Sequence, residues 1–177
     1  LRTGAGPRYQ SLRRELNHYP LAVYLDALVI EGNLHSGKPA DVTAFLQKAG
    51  TSPIAMRTLR SFVRHKIKDR RWGAVVEVTQ DLILSTELIC HRAHALLMIG
   101  ETAEATPLLN EVWTVGKSQI KACDPAFNTW YKTSGPSDDV IWNRALKAAD
   151  ARNSTLLRYL KRFASAELKP SLDDLGK

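Results

Sequence analysis

Three sets of side chains in this sequence are of types that do chemistry, and the spacing of each limits what it could do. The first, Gly116-Lys117-Ser118, matches the end of a phosphate-binding loop. Such a loop needs an earlier glycine, which here would stand at position 111, and a strand leading into it, so that backbone amides can close around the phosphates. Position 111 is Glu111 and no strand pattern precedes it. A helix end at Gly116, with the left-handed backbone that glycine allows there, explains these residues better. The second set is Cys90, His91 and His94, to which Cys123 could add a fourth donor of the kind zinc takes. Cys90 and His91 are adjacent on a helical stretch and point in different directions, which favours histidines on its polar side over a shared ion. The third set is the carboxylates. A glycosidase acid must sit where its pKa is raised, whereas Glu101, Glu104, Asp138 and Asp139 fall in first helical turns and oppose the positive end of the helix dipole. No catalytic, metal-binding or cofactor-binding residue is therefore assigned, and no cofactor is expected.

Two weaker signals concern partners. Arg57, Arg60, Arg64 and Lys68 line one side of a helix whose other side is Leu59, Phe62, Val63 and Ile67. Such a stripe is ordinarily a solvated face, and its functional reading is contact with an acidic polymer. Trp72, Trp113, Trp130 and Trp142 could stack on sugar rings, although their apolar neighbours favour core packing. The net charge of +7 suits nucleic acid, anionic lipid or an acidic polymer alike. No nucleic-acid reading motif accompanies it, so nucleic acid is not an expected partner. The two cysteines, Cys90 and Cys123, could be buried thiols in a reducing compartment or a disulfide in an oxidising one.

The elements that must position these residues are helices. The chain has 177 residues, 44% of them hydrophobic and 24% charged, enough to build a core without metal staples. No uncharged apolar run is long enough to span a membrane, and residues 1–14 lack the apolar block of a signal peptide. Prolines mark helix starts at Tyr19-Pro20, Lys38-Pro39, Ser52-Pro53 and Asp124-Pro125, with Ser52 and Asp124 as side-chain caps. Further caps are expected at Asp138 and at Asn153 or Ser154. Apolar residues recur at helical spacing throughout, and no segment alternates with the period of a strand. Short breaks at Gly100, Ser134-Gly135-Pro136 and Asn153 join consecutive helices and leave neighbours antiparallel. Two hairpins stand out, at about 85–115 and 138–164, with Ala93, Ala95, Ala103, Ala105, Ala145, Ala148 and Ala149 placed for close helix approach. The expectation is an all-α fold of about ten helices: antiparallel hairpins in a curved superhelix, a degenerate tetratricopeptide-like solenoid forming one segment over residues 1–177.

Three stretches resemble the superhelical N-terminal part of the soluble lytic murein transglycosylases. The most specific runs from Val112-Trp113 through Gly116-Lys117-Ser118-Gln119 to Ala122-Cys123-Asp124 and then to Phe127, Trp130 and Ser134-Gly135. It is similar to that family's succession of Trp, Gly-Lys-Ser-Gln, Ala-Cys-Asp, Phe and Trp. The second is Tyr19-Pro20-Leu21 with Tyr24-Leu25-Asp26, and the third runs from Arg57-Thr58-Leu59 through Phe62-Val63 to Arg71-Trp72. The resemblance extends from about Tyr9 to Arg162. The family's catalytic Glu-Ser pair and its Gly-Leu-Met-Gln and Ala-Tyr-Asn segments are not in this sequence.

The resemblance implies a non-catalytic scaffold, periplasmic, that supports the transglycosylase catalytic domain and guides peptidoglycan glycan strands, as a fragment or domain of a longer chain. It also implies a disulfide between Cys90 and Cys123, which are spaced as in the family. Closing a loop of this length is worth roughly 3–4 kcal/mol in the chain-entropy model. The acidic partner of the Arg57 stripe would then be the carboxylates of the wall peptides. The competing reading is an autonomous helical-repeat adaptor that binds a protein partner.

Overall fold

A computed structural model of the chain describes residues 6–16, 18–19 and 21–176. The regular structure of those residues is entirely helical, with eleven α-helices and one 3-10 turn. The chain divides into two compact units, residues 1–82 and residues 83–177. No helix among the described residues is long and apolar enough to cross a membrane.

The first unit contains α1 (Pro7–Glu15), α2 (Ala22–Gly32), α3 (Pro39–Ala49), α4 (Pro53–Lys68) and α5 (Trp72–Val78). Helix α4 is its centre and packs against α2, α3 and α5. Its start is local chemistry: Pro53 fits the first turn and Ser52 Oγ accepts from the Ala55 amide. Leu59, Phe62 and Val63 are completely buried along one side, and each such side chain stabilises by roughly 1.5–3 kcal/mol relative to exposure. Pro39 begins α3 as the sequence predicts. Of the Tyr19-Pro20 start, Pro20 lies outside the described residues, and α2 begins at Ala22.

The second unit contains α6 (Thr86–Met98), α7 (Thr102–Trp113), a 3-10 turn (Lys121–Cys123), α8 (Asp124–Thr133), α9 (Asp138–Asp150), α10 (Ser154–Leu160) and α11 (Lys169–Asp174). Both expected hairpins are present, as α6–α7 and α9–α10. Gly100 turns the first of them at a φ of 89°, a left-handed conformation that favours glycine. Ala93, Ala95, Ala105, Ala145 and Ala148 are buried and let helices approach closely, whereas Ala103 is exposed and Ala149 half-buried. Asn153 caps α10 by accepting from the Leu156 amide.

Two caps differ from expectation. The 3-10 turn runs directly into α8, so Asp124 is already helical and makes no side-chain cap. At α9 the cap is Ser137, whose Oγ accepts from the Val140 amide. Asp138, one residue later, instead accepts from the Ser165 amide and ties the 160s segment to the start of α9.

Candidate functional site

The residues singled out around position 116 form a strap, residues 114–120, that crosses the second unit between α7 and the 3-10 turn. An irregular segment lying against protein must satisfy its backbone carbonyls somewhere, and here side chains of the α9–α10 hairpin do so in succession. Lys147 Nζ donates to Thr114 O. Arg144 Nε donates to Val115 O and its Nη2 to Lys117 O. Asn153 Nδ2 donates to Gly116 O. Gln119 reaches back to donate to Val112 O at the end of α7. Gly116 and Lys117 thus offer their carbonyls to protein donors, and that arrangement builds no phosphate cradle.

Gly116 is small for a different reason from the one its place at a helix end suggests. Its φ is not positive. A Cβ there would stand 2.3 Å from Lys147 O and 3.2 Å from Ala151 Cβ. What requires glycine is the close approach of the strap to α9.

At the far end of the strap Cys123 is bonded to Cys90 of α6, across 33 residues of sequence, with the two Cα atoms 4.9 Å apart. Both cysteines are completely buried. Their sulfurs hold each other and supply no thiolate to a metal. His91 stands 3.6 Å from Glu87 one turn back on α6. Burial, aided by the neighbouring His91, lowers the His94 pKa below its ordinary value.

Beneath the strap lies an aromatic cluster. Trp113 and Trp130 are completely buried and meet edge to face with ring centroids 5.9 Å apart. The Trp113 indole N–H donates to the Tyr131 hydroxyl at 2.7 Å. Tyr131 in turn lies 4.5 Å from the ring of Phe163. The Arg144 guanidinium sits 4.3 Å over Trp113 and is 4% exposed. Among the described residues it has no carboxylate partner. Burial lowers its pKa and raises that of Tyr131 well above the ordinary tyrosine range. A cleft of about 310 Å³ opens beside this group, bordered by Gln119, Phe127, Tyr131, Arg144, Asn153 and Tyr159. Trp113 and Trp130 belong to the core, while Trp72 and Trp142 are half-exposed.

The basic stripe is found on α4, in the first unit. Arg57, Arg64 and Lys68 are exposed and Arg60 half-buried, on the side opposite Leu59, Phe62 and Val63. Arg57 is engaged by Glu31 of α2 through two hydrogen bonds, at 3.2 and 3.3 Å. Asp138 and Asp139 lie in the first turn of α9 and Glu104 in that of α7. The Asp138 carboxyl is held below its ordinary pKa by hydrogen bonds from Ser165, the direction opposite to that required of a proton donor.

Sequence reasoning missed Arg144 and Lys147, and it read Asn153 as a helix cap without its hold on the strap. They lie some thirty residues downstream of the carbonyls they hold, and no local pattern marks that pairing.

Comparison with known proteins agrees with this architecture. The soluble lytic murein transglycosylase of Escherichia coli K12 is 32% identical over 147 residues, which are 82% of this chain and 22% of that protein. The Salmonella typhimurium protein of the same name is 31% identical over 154 residues, 86% of this chain and 24% of that one. The solved complex of the 70-kDa soluble lytic transglycosylase with bulgecin A aligns with 94% of this chain at a TM-score of 0.71 and 25% identity, and 27% of its own chain is covered. A Cucumovirus coat protein profile also matches, over residues 98–177. That match spans less than half of the chain, and most of the same segment is covered by the structural alignment to the transglycosylase. The chain spans about a quarter of the length of the relatives it matches. It is a partial-domain relative of the soluble lytic murein transglycosylases, similar to their helical superhelix.

Proposed function

We propose that this chain is a non-catalytic helical scaffold of a periplasmic soluble lytic transglycosylase, one segment of a longer protein, which supports the catalytic domain and guides peptidoglycan strands. The parent enzyme would cleave the bond between N-acetylmuramic acid and N-acetylglucosamine and leave a 1,6-anhydro product. The observation that carries this reading is the breadth of the match: 82% of this chain aligns with only 22% of the transglycosylase. The buried disulfide suits an oxidising compartment. The net charge of +7 and the outward side of α4 suit a wall polymer bearing carboxylates.

Incubation of the purified chain with sacculi tests both halves of the proposal. Chromatography of the digest is expected to contain no anhydro-muropeptides, and turnover abolished by replacing one acidic residue here would refute the non-catalytic role. The chain is expected to sediment with sacculi in a salt-sensitive way, less so after Arg60→Glu with Lys68→Glu. Failure to sediment at low salt would remove the guiding role and favour the protein-binding adaptor.

A further inference from the structure

In the first unit three side chains from two parts of the chain meet at one point. His65 and Asp69 lie one turn apart where α4 ends, and the α2–α3 connection brings His35 to them. His35 Nδ1 is 3.1 Å from Asp69 Oδ2, and His65 Nε2 is 3.3 Å from the same oxygen. The donor atoms of all three residues lie within 4.8 Å of one another. His65 Nε2 is buried and has no hydrogen-bond partner among the described residues. It stands close to a carboxylate oxygen without being aligned to bond with it. A buried polar atom left in that condition is costly unless something else satisfies it.

We propose that His35, His65 and Asp69 bind a zinc ion, with water completing the coordination on the open side. Zinc takes imidazole nitrogen and carboxylate oxygen at about 2.0–2.2 Å in a tetrahedron, whose ligand atoms are then roughly 3.3–3.6 Å apart. The two histidine–aspartate separations already lie near that edge length. All three donor atoms lie within 4.8 Å of one another, and His35, with 86% of its side chain exposed, can rotate to complete the geometry.

The donor set also selects the ion. Two imidazoles and one carboxylate suit zinc and its first-row neighbours, whereas calcium and magnesium need several oxygen ligands. The Lys66 ammonium donates to His35 O at 2.9 Å. The same hydrogen bond fixes the backbone that presents His35. A bound zinc would clamp the α2–α3 connection to the end of α4, an effect independent of any activity of the parent enzyme.

The test is calorimetric titration of the chelator-stripped, tag-free chain with zinc sulfate, alongside thermal melts. One zinc per chain is expected, with a Tm that rises with zinc concentration. His35→Gln and His65→Gln should each weaken binding by more than about tenfold, the loss that even an outer-shell partner can cause. His91→Gln should leave it unchanged. Because His35 is at the surface, His35→Gln keeps the experiment decisive even if His65→Gln fails to fold. Absence of saturable zinc binding, insensitivity to His35→Gln, or loss in His91→Gln would each overturn the proposal.

Discussion

At the scale of single residues, the strap shows how one position can be read correctly for size and wrongly for cause. Glycine at 116 suggests a left-handed helix end, but what excludes a larger residue is Lys147 O, 2.3 Å from where a Cβ would be. The obstructing atom is backbone of α9 and cannot swing aside as a flexible side chain would. Gly116→Ala must therefore push the strap outward, stretching the hydrogen bonds from Arg144 and Asn153 to its carbonyls. Overpacking of this kind costs about 1–3 kcal/mol, and weakening the part-buried hydrogen bonds to the strap adds to it. The variant is expected to unfold at clearly lower denaturant than the parent, with Gly73→Ala, where a Cβ meets nothing within 4 Å, as the control. Equal midpoints for Gly116→Ala and the parent would contradict the close-approach explanation.

At the scale of elements, the sequence is most legible where a helix is governed by its own residues. Ser52-Pro53 starts α4, Gly100 divides α6 from α7, and Asn153 divides α9 from α10, each through chemistry confined to a few neighbouring positions. It is less legible where tertiary structure intervenes. Asp124 has a capping side chain and a following proline, yet the 3-10 turn pinned by the disulfide makes it helical already. Asp138 is drawn away from capping by the Ser165 amide. The disulfide matters most at this scale, because it joins α6 to the entry of α8 and encloses α7 and the strap in one covalent loop. Fixing a loop of 33 residues removes roughly 3–4 kcal/mol worth of unfolded-state entropy. Reduction is expected to lower Tm by several degrees, and Cys90→Ala with Cys123→Ala should reproduce that fall without further change on adding reductant. A parent Tm indifferent to reductant would show that the bond contributes nothing to stability.

For the whole molecule, hydropathy periodicity and short links conveyed the class, helices in antiparallel hairpins, but not the division at residue 82. Segment 79–85 has no glycine or proline to announce a boundary, and only the distribution of contacts separates the units. The meeting of His35 with His65 and Asp69 was hidden for a related reason: one turn of α4 relates the last two, but only tertiary packing brings His35 to them. The division has an energetic consequence that can be measured. Residues 83–177 bury Leu88, Leu96, Leu109, Trp113, Trp130, Ile141, Leu160 and Leu172 almost completely, and they also contain the disulfide. A domain of this size removes enough apolar surface from water to fold, though with modest stability, and a cross-link adds to that margin. Expressed alone under oxidising conditions, residues 83–177 are therefore expected to give a helical circular dichroism spectrum, one cooperative melt and a mass showing the Cys90–Cys123 bond. A disordered spectrum, or a helical one that fades without a transition, would mean that this core needs residues 1–82 to form.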